Sequence, residues 1–152
     1  LIAAGAMLTT VQLANAFGRV IAGWLADALR DTRRVLSWIA WLMLAACITS
    51  IWMSPGWPIA AIYVLFAVHG VASGAWAGVL LAEIGRLAPA GRVSHAISGA
   101  LVYINTGKFI GPIVFANVYL LTKSYGYAFA SVGIAAVFAL VCLRIKNINK
   151  NN

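Results

Sequence analysis

Lys108 stands near the middle of an apolar run that extends from Val93 to Leu121. A run of that length reads as a helix, and at 1.5 Å per residue it leaves the lysine roughly 20 Å from either end. The lysine stem cannot reach a headgroup layer from there. A charge at that depth costs at least about 2.5 to 3.5 kcal/mol on insertion scales, so it should face a polar cavity or a partner. Asn105 one turn before it and Pro112 one turn after it share its face, while Gly107 and Gly111 mark an adjacent face suited to close packing. The three acidic residues, Asp27, Asp31 and Glu83, all fall outside the expected spans, so none can pair with Lys108 at its depth. Two readings stay open: Lys108 pairs with an acid beyond this sequence, or it binds an anionic substrate such as a carboxylate. Either way the chemistry is recognition. There is no pair of carboxylates, no Ser/His/Asp or Cys/His set and no phosphate-cradling loop, so the chain is not expected to be an enzyme. Cys47 and Cys142 lie in apolar runs without a His or acid at ligand spacing. They are expected to be buried small hydrophobes, with no metal and no cofactor.

Other polar and small residues fall at helical spacing. Gln12 and Asn15 stand one turn apart, and polar residues so placed usually bond across helices. Gly70, Gly74 and Gly78 recur every four residues, which lets helix backbones approach closely. His69, Ser73 and Trp76 fall on another face of the same helix, roughly 135° away. A histidine there is expected to bond to a neighbouring span. Glu83, at the end of that helix, suits pairing with Arg86 or Arg92.

These residues need an apolar scaffold, and the composition supplies it. Hydrophobic residues make up 63% of the chain and charged ones 9%, against roughly a quarter charged in a soluble domain. With a mean hydropathy of +0.94, the expected fold is all-α, a polytopic transmembrane helical bundle in contact with the lipid bilayer. Five spans are expected, at about 1–24, 35–53, 59–82, 93–121 and 125–143, joined by loops that include 25–34 and 83–92. The linker Ser54-Pro55-Gly56-Trp57-Pro58 cannot continue a helix. The net charge of +8 does not point to nucleic acid, because the basic residues sit in short loops. With loops 25–34 and 83–92 on the cytoplasmic side, nine basic residues lie at that face and only Lys123 at the other. That asymmetry puts the C-terminus in the cytoplasm of a multi-pass protein, with a bacterial inner (plasma) membrane the expected location. Leu1-Ile2-Ala3-Ala4 reads as the interior of a span with no secretory signal before it, so an N-terminal part is expected to be missing.

The loop after the first span resembles a known signature. Gly23, Leu25, Ala26 and Asp27 match the Gly-x-Leu-Ala-Asp of the major facilitator superfamily, whose basic residues arrive here a few positions late, at Arg33 and Arg34. Ala82 to Arg92 is similar to the family's link between helices 10 and 11. Gly107-Lys108-Phe109-Ile110-Gly111-Pro112 resembles its helix 11, and Tyr125-Gly126-Tyr127 the turn before helix 12. Order and spacing together make the chain look like helices 8 to 12 of a twelve-helix secondary transporter of this family.

The resemblance implies alternating access between two six-helix halves about a site near the midplane. It implies a conformational latch at Gly23, Asp27, Arg30, Arg33 and Arg34 whose partners lie in the missing half. Because helices 8, 10 and 11 line the cavity in the family, it makes Gln12, Asn15, His69, Trp76, Asn105 and Lys108 candidates for substrate contact. His69 is also a candidate for proton coupling. The implied partners are a small solute, with an organic anion favoured by Lys108, and a coupling proton or counter-substrate. Competing readings are a non-transporting membrane anchor or assembly module, and an exporter of drug-like compounds.

Overall fold

The computed structural model describes the backbone of residues 2–54 and 56–148, and the side chains of residues 5–54 and 56–144. Leu1, Pro55 and the tail positions Lys146 and Lys150, which enter the span, linker and charge expectations, lie outside the described backbone or side chains. Five helices follow in order: α1 (Ile2–Leu29), α2 (Thr32–Ile51), α3 (Ile59–Leu87), α4 (Val93–Thr122) and α5 (Tyr125–Ile148). Four of them, α2 to α5, are long and apolar enough to cross a membrane. At 28 residues α1 has the length. Five spans were expected, and α1 falls short by composition because Gln12, Asn15 and Arg19 dilute it.

Helices outrun the apolar runs that predicted them. The expected loop 25–34 shrinks to Arg30 and Asp31, since α1 continues to Leu29 and α2 begins at Thr32. Arg30 takes a left-handed conformation with φ of 50°, which turns the chain in so little space. Asp31 caps α2 by accepting a hydrogen bond from the Arg34 backbone N–H at 3.0 Å, satisfying one of the free donors of the first turn. The loop 83–92 likewise shortens, because α3 continues to Leu87. Hydrophobicity marks where a helix meets lipid, whereas the backbone ladder continues past that boundary.

The packing order is a ring. α1 packs on α3 and α2, α2 on α5 and α3, α4 on α5 and α3; among the described residues α1 touches neither α4 nor α5. Small residues set the closest approaches. A Cβ added at Gly70 would lie 2.5 Å from the Val11 carbonyl oxygen, and one at Gly18 would lie 2.7 Å from the Val71 carbonyl oxygen. Gly74 abuts the Asn15 backbone in the same way. So α1 lies almost backbone to backbone on α3. Gly78, Gly107 and Gly111, expected to serve close packing too, stand in open space: a Cβ there would meet no atom within 4 Å among the described residues. The close-packing glycine that spacing alone did not single out is Gly18. On α2, Cys47 is buried against Gly133 of α5. Cys142 departs from expectation and is exposed, because it lies on an open groove between α2, α3 and α5.

Candidate functional site: a polar gap between α1, α3 and α4

Register places the mid-span polar groups at one level. Near one end of the bundle, α4 meets α3 where a Cβ on Gly85 would touch Ile97 and Val93. The helices run antiparallel, so eleven residues back along α3 and eleven on along α4 bring Gly74 level with Lys108. The other end agrees: Phe66 of α3 and Phe115 of α4 both pack on Phe129 of α5, with ring centroids 6.1 and 5.2 Å apart. At roughly 100° per residue, Lys108 projects within about 20° of both Ile97 and Phe115. It therefore points from the face of α4 that is turned toward α3 and α5.

Lys108 is nonetheless exposed, and it makes no hydrogen bond or ion pair among the described residues. Gly107 and Gly111 beside it are open as well, an added Cβ meeting no atom within 4 Å among the described residues. Asn105 is exposed on the same stretch. Across the gap, Asn15 of α1 donates from Nδ2 to the Ser73 Oγ of α3 at 3.3 Å, and Ser73 donates to the Gly70 carbonyl at 3.1 Å. Ser73 lies within about 20° of Phe66 around α3, the side that meets Phe129 of α5. Gln12 is exposed one turn along α1.

Two expected neighbours of this gap turn elsewhere. His69 Nε2 lies 2.9 Å from the Ser50 Oγ of α2, and its ring lies against Phe129, centroid to centroid 5.1 Å. Ser50 Oγ also lies 2.8 Å from the Ala46 carbonyl, so the serine links the His69 ring to the backbone of α2. Trp76 lines an apolar groove of about 570 Å³ between α2, α3 and α5, with Leu36, Met43 and Ala136. The single face drawn for His69, Ser73 and Trp76 is therefore divided: His69 and Trp76 pack toward α2 and α5, and Ser73 bonds Asn15 of α1.

At one end of the bundle a second polar cleft, about 500 Å³, is lined by Arg19, Gly23, Asp27, Arg30, Thr32, Gly78, Glu83 and Arg86. Arg86 holds Glu83 in a fork, Nε to Oε2 at 2.9 Å and a terminal nitrogen to Oε1 at 2.8 Å. Thr32 adds a hydroxyl bond to Oε2 at 3.0 Å, tying the start of α2 to the end of α3. Of the two expected partners of Glu83, the structure selects Arg86, three residues on. Asp27 is exposed and makes no hydrogen bond or ion pair among the described residues. Arg33 and Arg34 do not line the cleft; they belong to the first turn of α2, where Arg34 lies 3.6 Å from Asp31. Arg19 and Thr32 are cleft residues that the loop motif alone does not pick out, since they become neighbours only when α1 and α2 fold against α3.

A helical bundle with four helices long and apolar enough to cross a membrane defines the class of a polytopic membrane protein. The family model of the Major Facilitator Superfamily matches residues 1–150. The chain belongs to that superfamily, a family of membrane transporters. Comparison with curated proteins and with solved structures found no match. Among the described residues no cluster of His, Cys, Asp and Glu could hold a metal ion.

Proposed function

We propose that the chain is part of a secondary transporter that moves a small organic anion by alternating access, with Lys108 as the anion's charge partner. Lys108 carries this reading. It sits mid-helix, faces the gap toward α3 and has no partner among the described residues, at the level of the Asn15–Ser73 pair. A cation at mid-membrane depth without a counter-charge is costly, and an anionic solute beside it relieves that cost. The order of the motifs supports a correspondence of α1 to α5 with the family's helices 8 to 12, the N-terminal half supplying the other wall. The cleft around Asp27, Arg30 and Glu83 is the latch region in this reading, at the cytoplasmic face of the plasma membrane. Gly23 lies beside it, and Arg33 and Arg34 flank it on α2.

Replacing Lys108 by Gln removes the charge and little volume. Uptake of radiolabelled benzoate, lactate and succinate into membrane vesicles tests the consequence. Transport of whichever acid is carried should fall at least tenfold while membrane abundance stays normal. Unchanged apparent affinity in the variant would remove Lys108 from the anion site.

A further inference from the structure

The Asn15 amide is clamped between α1 and α3. Its Nδ2 donates to Ser73 Oγ at 3.3 Å, and the same hydroxyl donates to the Gly70 carbonyl at 3.1 Å. The serine thus joins the Asn15 amide of α1 to the backbone of α3. The other end of the amide is fixed by packing. A Cβ placed on Gly74 would lie 2.6 Å from both Cγ and Oδ1 of Asn15, so the oxygen lies flat against the glycine. One Nδ2–H is therefore used by Ser73, Oδ1 is turned to α3, and the second Nδ2–H has no acceptor among the described residues. Ser73 is exposed and Asn15 half-buried, so this hydrogen is available to a solute. It stands at the depth of Lys108.

We infer that Ser73 is a positioning residue that fixes Asn15 as a hydrogen-bond donor to the transported anion, at the depth of the Lys108 ammonium. The inference rests on the anion reading above. A carboxylate has two oxygens and suits a two-point grip, one from a cation on α4 and one from a neutral N–H on α1. Because α1 and α4 do not touch, the solute itself would bridge them. Gly74 is part of the device, since any side chain there would displace the amide oxygen.

The test compares Ser73→Ala, Ser73→Thr, Asn15→Asp and Lys108→Gln in vesicles, with benzoate, lactate and succinate as probes. Ser73→Ala frees the amide to rotate and should raise KM roughly tenfold, with kcat little changed, since a hydrogen bond to a charged group commonly carries a factor of that size. Ser73→Thr keeps the acceptor oxygen and should stay near the parent. Asn15→Asp replaces the donor by a repelling carboxylate and should raise KM further. A merely structural Ser73 would give the opposite order, with the smaller alanine tolerated and the bulkier threonine harmful, and that order overturns the inference. Unchanged KM in both Ser73→Ala and Asn15→Asp, with Lys108→Gln still defective, also overturns it while leaving the anion reading in place. Uptake of none of the three acids would sink both. A readout without solute uses proton exchange of the Asn15 side chain by nitrogen-15 NMR, assigned by Asn15→Asp. One slow and one fast amide hydrogen are expected, with both fast in Ser73→Ala. Two fast hydrogens in the parent would show that no clamp exists.

Discussion

Single side chains in this bundle are judged by where their hydrogens go. His69 and Asn15 both stand mid-helix and both bond a serine of a neighbouring helix, yet their situations differ. His69 bonds Ser50 through Nε2 and is walled by Phe66 and Phe129, which is a packing role. Ser50→Ala would remove that bond, at a cost of about 1 kcal/mol, typical for polar links between membrane helices. His69→Ala should cost at least as much through lost ring packing. The double variant should cost less than the two singles added, because one bond is removed twice. Reversible unfolding in mixed detergent micelles would check this, and strict additivity would argue against the Ser50–His69 bond. His69→Gln should leave anion KM unchanged, in contrast to Asn15→Asp.

Among the helices, the decisive contact is α1 on α3. Gly18, Gly70 and Gly74 let two backbones approach, and packing at small residues is a main source of helix association where no hydrophobic drive exists. An alanine at Gly70 or Gly74 cannot be accommodated by moving a flexible side chain, because the Cβ meets backbone atoms of Val11 or Asn15. Each substitution should destabilise the bundle by about 1–3 kcal/mol, the usual range for overpacking. Gly78→Ala should be neutral or mildly stabilising, since its Cβ enters open space and alanine favours helix. Thermal unfolding of the three variants in detergent makes the comparison. A loss at Gly78 equal to that at Gly70 would mean that α1 crosses α3 at a different place.

Taken whole, the molecule gathers its charge at one end. The C-terminal ends of α1 and α3 and the N-terminal end of α2 meet around Arg30, Asp27, Thr32, Glu83 and Arg86. At the opposite end Tyr119 stacks on Tyr125 at 4.4 Å, and Gly126 abuts the Ile51 carbonyl. Basic connections are retained on the cytoplasmic side, which gives the orientation a direct check. In a Cys142→Ser background, with Cys47 buried, a cysteine at Arg34 should be shielded from impermeant thiol reagents added outside intact cells. A cysteine at Gly56 should be labelled. The reverse pattern would invert the molecule.

The sequence alone determined that the chain is helical, that it belongs in a membrane, and that it carries a charge where a charge is expensive. Those are local properties: apolar length, helical period, and the residue at a given depth can be read without knowing any neighbour. It also showed Gly70 and Gly74 as residues suited to close approach, and Glu83 with Arg86 three residues on. What it could not show is how each helix is rotated about its axis and where it crosses the next. That rotation turned His69 to Ser50 and Trp76 to the α5 side, left Gly78 in the open, and drew Arg19 and Thr32 into one cleft with Asp27 and Glu83. It also set Ser73 under Asn15. Periodicity fixes angles within a helix only; the angles between helices follow from backbone contacts at Gly18, Gly70 and Gly74, which exist only once α1 and α3 have met.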